Sequence, residues 1–114
     1  MTKGRYLFVC SANKQRSKTA EDHFSELYPD DEFESGGTNH KICNALGTNP
    51  LEEAQLVWAD IVFVMEHKHR EIINKHTSGK HIQKIVVLNI KDVYKYNQPE
   101  LLEILEEKLS RYFK

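Results

Sequence analysis

The chain has 114 residues, 39% of them hydrophobic and 29% charged, with a formal net charge of −1. That length predicts one domain, residues 1–114, with a modest core. The near balance of charge excludes a global basic field for nucleic acid, and no apolar run is long enough for a membrane helix.

The chain goes directly into a strand-like apolar run, so no signal peptide is expected. Its two cysteines, Cys10 and Cys43, read as reduced thiols of a cytoplasmic protein rather than as a bridge. Residues 5–9 form the first predicted strand. Residues 17–28 follow as a helix, with Ala20, Phe24, Leu27 and Tyr28 on one face. Pro29-Asp30-Asp31 stops it. A second strand is predicted at 32–35, ending in Gly36-Gly37, and residues 38–48 read as loop. Asn49 and Pro50 predict a helix start, with Leu51, Ala54, Val57 and Trp58 as its apolar face. Residues 61–65 are the clearest strand. Residues 66–76 read as helix, 85–88 as a fourth strand, and 99–113 as a last helix with Leu101, Leu102, Leu105, Leu109 and Tyr112 inward. Strands alternating with helices predict an α/β fold, a small parallel sheet covered on both faces.

The stretch CSANKQRS, residues 10–17, lies where the first strand gives way to the first helix. Backbone N–H groups at such a junction are unpaired and the helix dipole adds positive charge, so the loop is suited to an anion. The same field favours a thiolate at Cys10. Arg16 offers a planar fork of donors that can hold two phosphate oxygens. Composition alone yields a Cys with Arg six positions on and Ser next only about 0.004 times in such a chain.

This stretch resembles the phosphate-binding loop of the low-molecular-weight protein tyrosine phosphatases: Cys, five residues, Arg, Ser, with Asn at the fourth position, here Asn13. SGGT at 35–38, ADIVFVMEHKH at 59–69 and KDVYKY at 91–96 are similar to later segments of that family, in the same order. The resemblance implies a three-layer sandwich with a four-stranded parallel sheet in the order 2-1-3-4 and the phosphate loop after strand 1. It implies a metal-independent phosphomonoesterase with no cofactor that works through a phosphocysteine. Cys10 is then the nucleophile. Arg16 and the amides of Ser11, Ala12, Asn13, Lys14 and Gln15 bind the phosphoryl oxygens. Ser17 donates to the sulfur, Asn13 holds the loop's shape, and Asp92 is the general acid.

The chain also departs from the family. It is shorter than typical members. Gln15 stands where many have a second cysteine, Ala12 where Gly is common, and Val93 where Pro follows the Asp. Tyr94 remains and is expected to stack on an aromatic substrate. Ser11, Lys14 and Lys41 give the expected entrance a polar, basic rim, which suits a phosphotyrosyl protein with acidic flanks or a small phosphomonoester. Inorganic phosphate or another oxyanion is expected in the loop, with no nucleic-acid or membrane partner. Two further readings use the same loop: a thiol-dependent arsenate reductase, with only Cys43 as a resolving thiol, and a non-catalytic phosphate- or phosphopeptide-binding module. The histidines between residues 67 and 81 read as surface groups rather than metal ligands.

Overall fold

Successive side chains of a strand point to opposite faces of the sheet, and this divides the core in two. The computed structural model describes residues 4–113. Its elements run β1 (Arg5–Cys10), α1 (Arg16–Leu27), β2 (Glu32–Gly37), α2 (His40–Leu46), α3 (Glu53–Trp58), β3 (Ile61–Val64), α4 (His67–Thr77), β4 (Ile85–Val87) and α5 (Pro99–Leu109). All strand pairs are parallel, in the order β2-β1-β3-β4. The parallel sheet is the one the alternating pattern predicts, and its order is the one the family resemblance implies. From β1, Phe8 and Cys10 enter a core with Phe24, Phe33, Phe63, Leu101, Leu105 and Phe113, roofed by α1 and α5. Leu7 and Val9 enter a second core with Leu56, Val62, Val64 and Ile73, roofed by α3 and α4. Each face of the sheet is therefore dry, which explains why β1 and β3 read as unbroken apolar runs.

Three elements differ from expectation. Residues 38–48, expected as loop, contain α2. The Asn39 side chain caps it by accepting from the Ile42 N–H at 3.1 Å, and Gly47 ends it at φ 74°. Only Cys43 of this helix is buried, so it carries no apolar stripe, though its cap residues are ordinary helix signals. The next helix starts later than Asn49-Pro50 suggests. The Gly37 N–H donates to the Asn49 carbonyl and the Leu51 N–H to the Gly37 carbonyl, so this segment extends along β2 instead. α3 begins after a Glu52–Gln55 capping box, which turns Leu56 and Ala59 inward and leaves Ala54 and Val57 exposed. In α1, Tyr28 takes the inward place by packing on Phe24 and Phe113, and Leu27 is turned out to solvent.

Candidate active site

The backbone of β1 ends at Cys10 and residues 11–15 form a tight loop before α1 begins at Arg16. Asn13 sits at φ 52°, a left-handed conformation that Asn tolerates better than most residues. Its buried side chain explains the choice. Asn13 Nδ2 donates to Ser17 Oγ at 2.8 Å, and Asn13 Oδ1 accepts from the Asn49 N–H at 3.2 Å. Ser17 Oγ lies 2.9 Å from Cys10 Sγ. With Asn13 donating into Ser17 Oγ, the serine hydrogen is left to point at the sulfur, which suits a thiolate acceptor.

The outer carbonyls of the loop are tied down by the segment that follows β2. The Cys10 and Ser11 carbonyls accept from the Thr38 and Asn39 N–H groups at 2.9 and 3.0 Å. The Ala12 carbonyl accepts from Thr48 Oγ1 at 2.6 Å and faces Cys43 Sγ at 3.5 Å. Gly37 is required by this close approach: a Cβ there would stand 2.5 Å from Cys43 Sγ and 2.6 Å from the Ser11 carbonyl oxygen. Among the described residues, no carbonyl accepts from the backbone N–H groups of residues 12–16. Carbonyls bound outward and N–H groups unpaired are the arrangement that receives an anion.

Arg16 supplies the charge. It is 2% exposed, and Nη1 donates to Glu66 Oε1 at 2.7 Å and to the Ile90 carbonyl at 2.8 Å. Nη1 is thereby spent on the protein, which leaves Nη2 and Nε for a ligand. Nε faces Asp92 Oδ1 at 3.7 Å. The hydrogen bond from Arg16 holds the Glu66 carboxyl below the usual carboxylate range, against an opposing effect of burial. Cys10, Ser11, Ala12, Lys14, Gln15, Arg16 and Asp92 line one cleft of about 150 Å³. A larger groove of about 430 Å³, between Leu51, Leu56, Ile73 and His76, contains neither cysteine nor arginine and so lacks the chemistry of the smaller cleft.

Of the residues singled out in the sequence, Cys10, Ser11, Ala12, Lys14, Gln15, Arg16 and Asp92 meet in this cleft, while Asn13 and Ser17 are buried and brace the loop through their hydrogen bonds. Asp92 arrives across 76 positions from Arg16, and its side chain is 60% exposed. Tyr94 instead packs half-buried against the Phe8 core, and Lys41 lies exposed on α2 outside the cleft lining. A neighbouring groove is lined by Glu66, His67, Lys68, Asn89 and Lys91, so lysines other than Lys41 extend the basic rim set by Lys14. His69 corrects the expectation of surface histidines. It is fully buried, takes the Glu66 N–H on Nδ1 at 3.0 Å and faces Ser11 Oγ through Nε2 at 3.0 Å. Glu66 and His69 form a reciprocal N-terminal capping box of α4, but Glu-x-x-His is not the usual Ser/Thr-x-x-Glu/Gln signature, so no standard sequence signal marks it.

A low-molecular-weight protein-tyrosine-phosphatase, PtpB of Staphylococcus aureus, is 30% identical to this chain over 89 residues. That match spans 63% of this chain and 63% of the length of PtpB. Among solved structures, Vibrio vulnificus Wzb in complex with benzylphosphonate superposes with a TM-score of 0.75 at 18% identity, covering 97% of each chain. In sequence the chain is similar to a low-molecular-weight protein-tyrosine-phosphatase over part of its length, and in fold it matches solved phosphatases of that kind. The YwlE arginine phosphatase from Geobacillus stearothermophilus has a similar fold, with a TM-score of 0.66 at 20% identity over 96% of this chain and 94% of that one. No protein-family model matches the chain.

The buried His69 makes folding stability depend on pH. Burial, reinforced by the Arg16 guanidinium and by Lys68 and opposed by Glu66 and Asp92, pushes the His69 imidazole down to about 4. An unfolded histidine takes its proton near pH ~6.5, so between these values the unfolded chain holds more protons than the folded one. Stability therefore falls as pH falls through this window, by up to about 3 kcal/mol on reaching pH ~4. Thermal melts of the wild type and of His69→Asn between about pH 7 and about pH 4.5 check this. The variant should show the shallower decline, and equal slopes would overturn the assignment.

Proposed function

We propose that the chain is a metal-independent, cysteine-dependent phosphomonoester hydrolase of the protein-tyrosine-phosphatase type. The observation that carries this reading is the single small cleft that joins a thiol, a buried guanidinium and an exposed carboxyl: Cys10, Arg16 and Asp92. The loop amides and the Arg16 Nε and Nη2 donors hold the three phosphoryl oxygens. Cys10 Sγ attacks phosphorus as a thiolate in line with the leaving oxygen. The P–O bond breaks as the P–S bond forms, and Asp92 delivers its proton to the departing oxygen. The Asp92 carboxylate then takes a proton from water as that water attacks phosphorus. The P–S bond breaks, and the Ser17 hydroxyl, 2.9 Å from the sulfur, stabilises the thiolate that leaves. The chemistry rests on positioning and charge neutralisation. Because the nucleophile must be a free thiol, a reducing compartment such as the cytoplasm suits it.

Lys14 on the loop and Lys68 and Lys91 in the adjoining groove favour a substrate with a second anionic group. A phosphotyrosyl peptide with acidic flanks and a small anionic phosphomonoester both meet that requirement. Turnover of phosphotyrosine, phosphoserine, phosphoarginine and sugar phosphates by the purified chain tests the reading. Release of phosphate from a phosphomonoester without added metal supports it. Binding without turnover would overturn it in favour of a regulatory module, and arsenate-dependent thiol consumption in favour of a reductase.

The acid has its own test. Asp92→Asn should slow phenyl phosphate, a poor leaving group, by about 10²- to 10³-fold, and p-nitrophenyl phosphate much less. Equal loss on both substrates would place the acid elsewhere.

A further inference from the structure

The Glu66 backbone N–H donates to His69 Nδ1 at 3.0 Å. An amide N–H can only donate, so Nδ1 carries no hydrogen and the ring proton is on Nε2. Nε2 lies 3.0 Å from Ser11 Oγ and donates to it. The Ser11 oxygen is thus an acceptor toward His69, and its own hydrogen must turn elsewhere. Among the described residues Ser11 Oγ has no other hydrogen-bond partner, and Ser11 lines the cleft beside Cys10. We propose that His69 is a positioning residue which orients the Ser11 hydroxyl as an additional donor to the phosphoryl group bound in the loop. The proposal rests on the phosphatase reading of the cleft.

Glu66 sets two of these donors at once. Its backbone N–H fixes the His69 tautomer, while its carboxylate holds Arg16 at 2.7 Å. The histidine stays neutral because it is fully buried beside that guanidinium. A serine hydroxyl alone rotates freely. With the imidazole proton on one side, the orientation aimed at His69 is closed to it, and the orientation toward an oxyanion gains weight. The donor adds to the loop amides and strengthens as negative charge collects on the phosphoryl oxygens.

Two histidine variants separate this from a purely structural role. Asn at position 69 can still accept the Glu66 N–H but reaches no further, so the donor to Ser11 is lost. Gln at the same position carries its amide to the place of Nε2 and keeps that donor, at the cost of the Glu66 bond. Ser11→Ala and His69→Asn should each lower kcat/KM for an aryl phosphate by about 10- to 100-fold, as expected for one hydrogen bond to a charged group. His69→Gln should recover most of that loss. In a Ser11→Ala background the two His69 variants should be indistinguishable, and the double variant no worse than Ser11→Ala alone. The dissociation constant for inorganic phosphate, measured in the same set, should rise in the same order. Losses that multiply, or a Ser11→Ala protein within about twofold of wild type in both readouts, overturn the proposal. If the wild type turns over no phosphomonoester, the phosphatase reading fails, and the phosphate-binding series still decides the role of His69. Phosphate binding that does not depend on Ser11 then overturns it.

Discussion

Cys10→Ser is expected to reduce hydrolysis of aryl phosphates by on the order of 10⁴-fold or more while inorganic phosphate still binds. A serine oxygen needs a base to become a nucleophile, and the partner of Cys10 Sγ is itself a hydroxyl, Ser17 Oγ at 2.9 Å. Nothing in that pair can remove the proton. In the proposed reaction binding is separate: it rests on the loop amides and Arg16, neither of which the substitution touches. The side chain at position 10 is buried and hydrogen-bonded to Ser17, so the serine hydroxyl keeps a partner and the fold should persist. Titration calorimetry with phosphate and a single-turnover assay measure the two halves. Residual turnover near the wild-type rate would remove Cys10 from the reaction.

Arg16→Lys is expected to cost both activity and stability. The guanidinium occupies a buried site in which Nη1 alone serves Glu66 and the Ile90 carbonyl, at 2.7 and 2.8 Å. A lysine reaches as a point charge and cannot satisfy both partners while presenting a two-pronged face to an oxyanion. The lost bonds correspond to about 1–3 kcal/mol of stability, kept below the range for fully buried pairs because Glu66 is partly exposed. Loss of bidentate transition-state contact should lower kcat/KM by about 10²- to 10³-fold. Denaturant titration and steady-state kinetics check the two effects. An unchanged kcat/KM with reduced stability would make Arg16 a structural residue only.

The two expectations differ in what they ask of the chain, and this mirrors how much of the site is local. Cys10, Asn13, Arg16 and Ser17 lie within one strand-loop-helix junction, and the bonds among Cys10, Asn13 and Ser17 span seven positions or fewer. Such contacts are set by backbone geometry over a short stretch, which is why a spacing of residue types already reveals them. The strands are legible for a related reason: burial on both faces makes them continuous apolar runs. α2 was not, since one buried residue, Cys43, leaves no periodic pattern. Val57 and Leu27 show the limit of periodicity itself. A helix start displaced by the pairing of Gly37 with Pro50, or one better-packed neighbour such as Tyr28, rotates which residue faces in.

By itself the sequence determined that a thiol ends a strand, that an Arg-Ser pair opens the next helix, and that alternating elements build a parallel sheet around them. Only the tertiary structure decided what holds that junction. Glu66 and Ile90 reach Arg16 across 50 and 74 positions, His69 reaches Ser11 across 58, and Thr48 reaches the Ala12 carbonyl across 36. Each is an ordinary polar or charged residue in its own segment. Their roles come from the parallel order β2-β1-β3-β4, which sets the carboxyl ends of the strands side by side and so brings the loops after β1, β2, β3 and β4 to one edge of the sheet. No local pattern encodes a distance between segments so far apart along the chain.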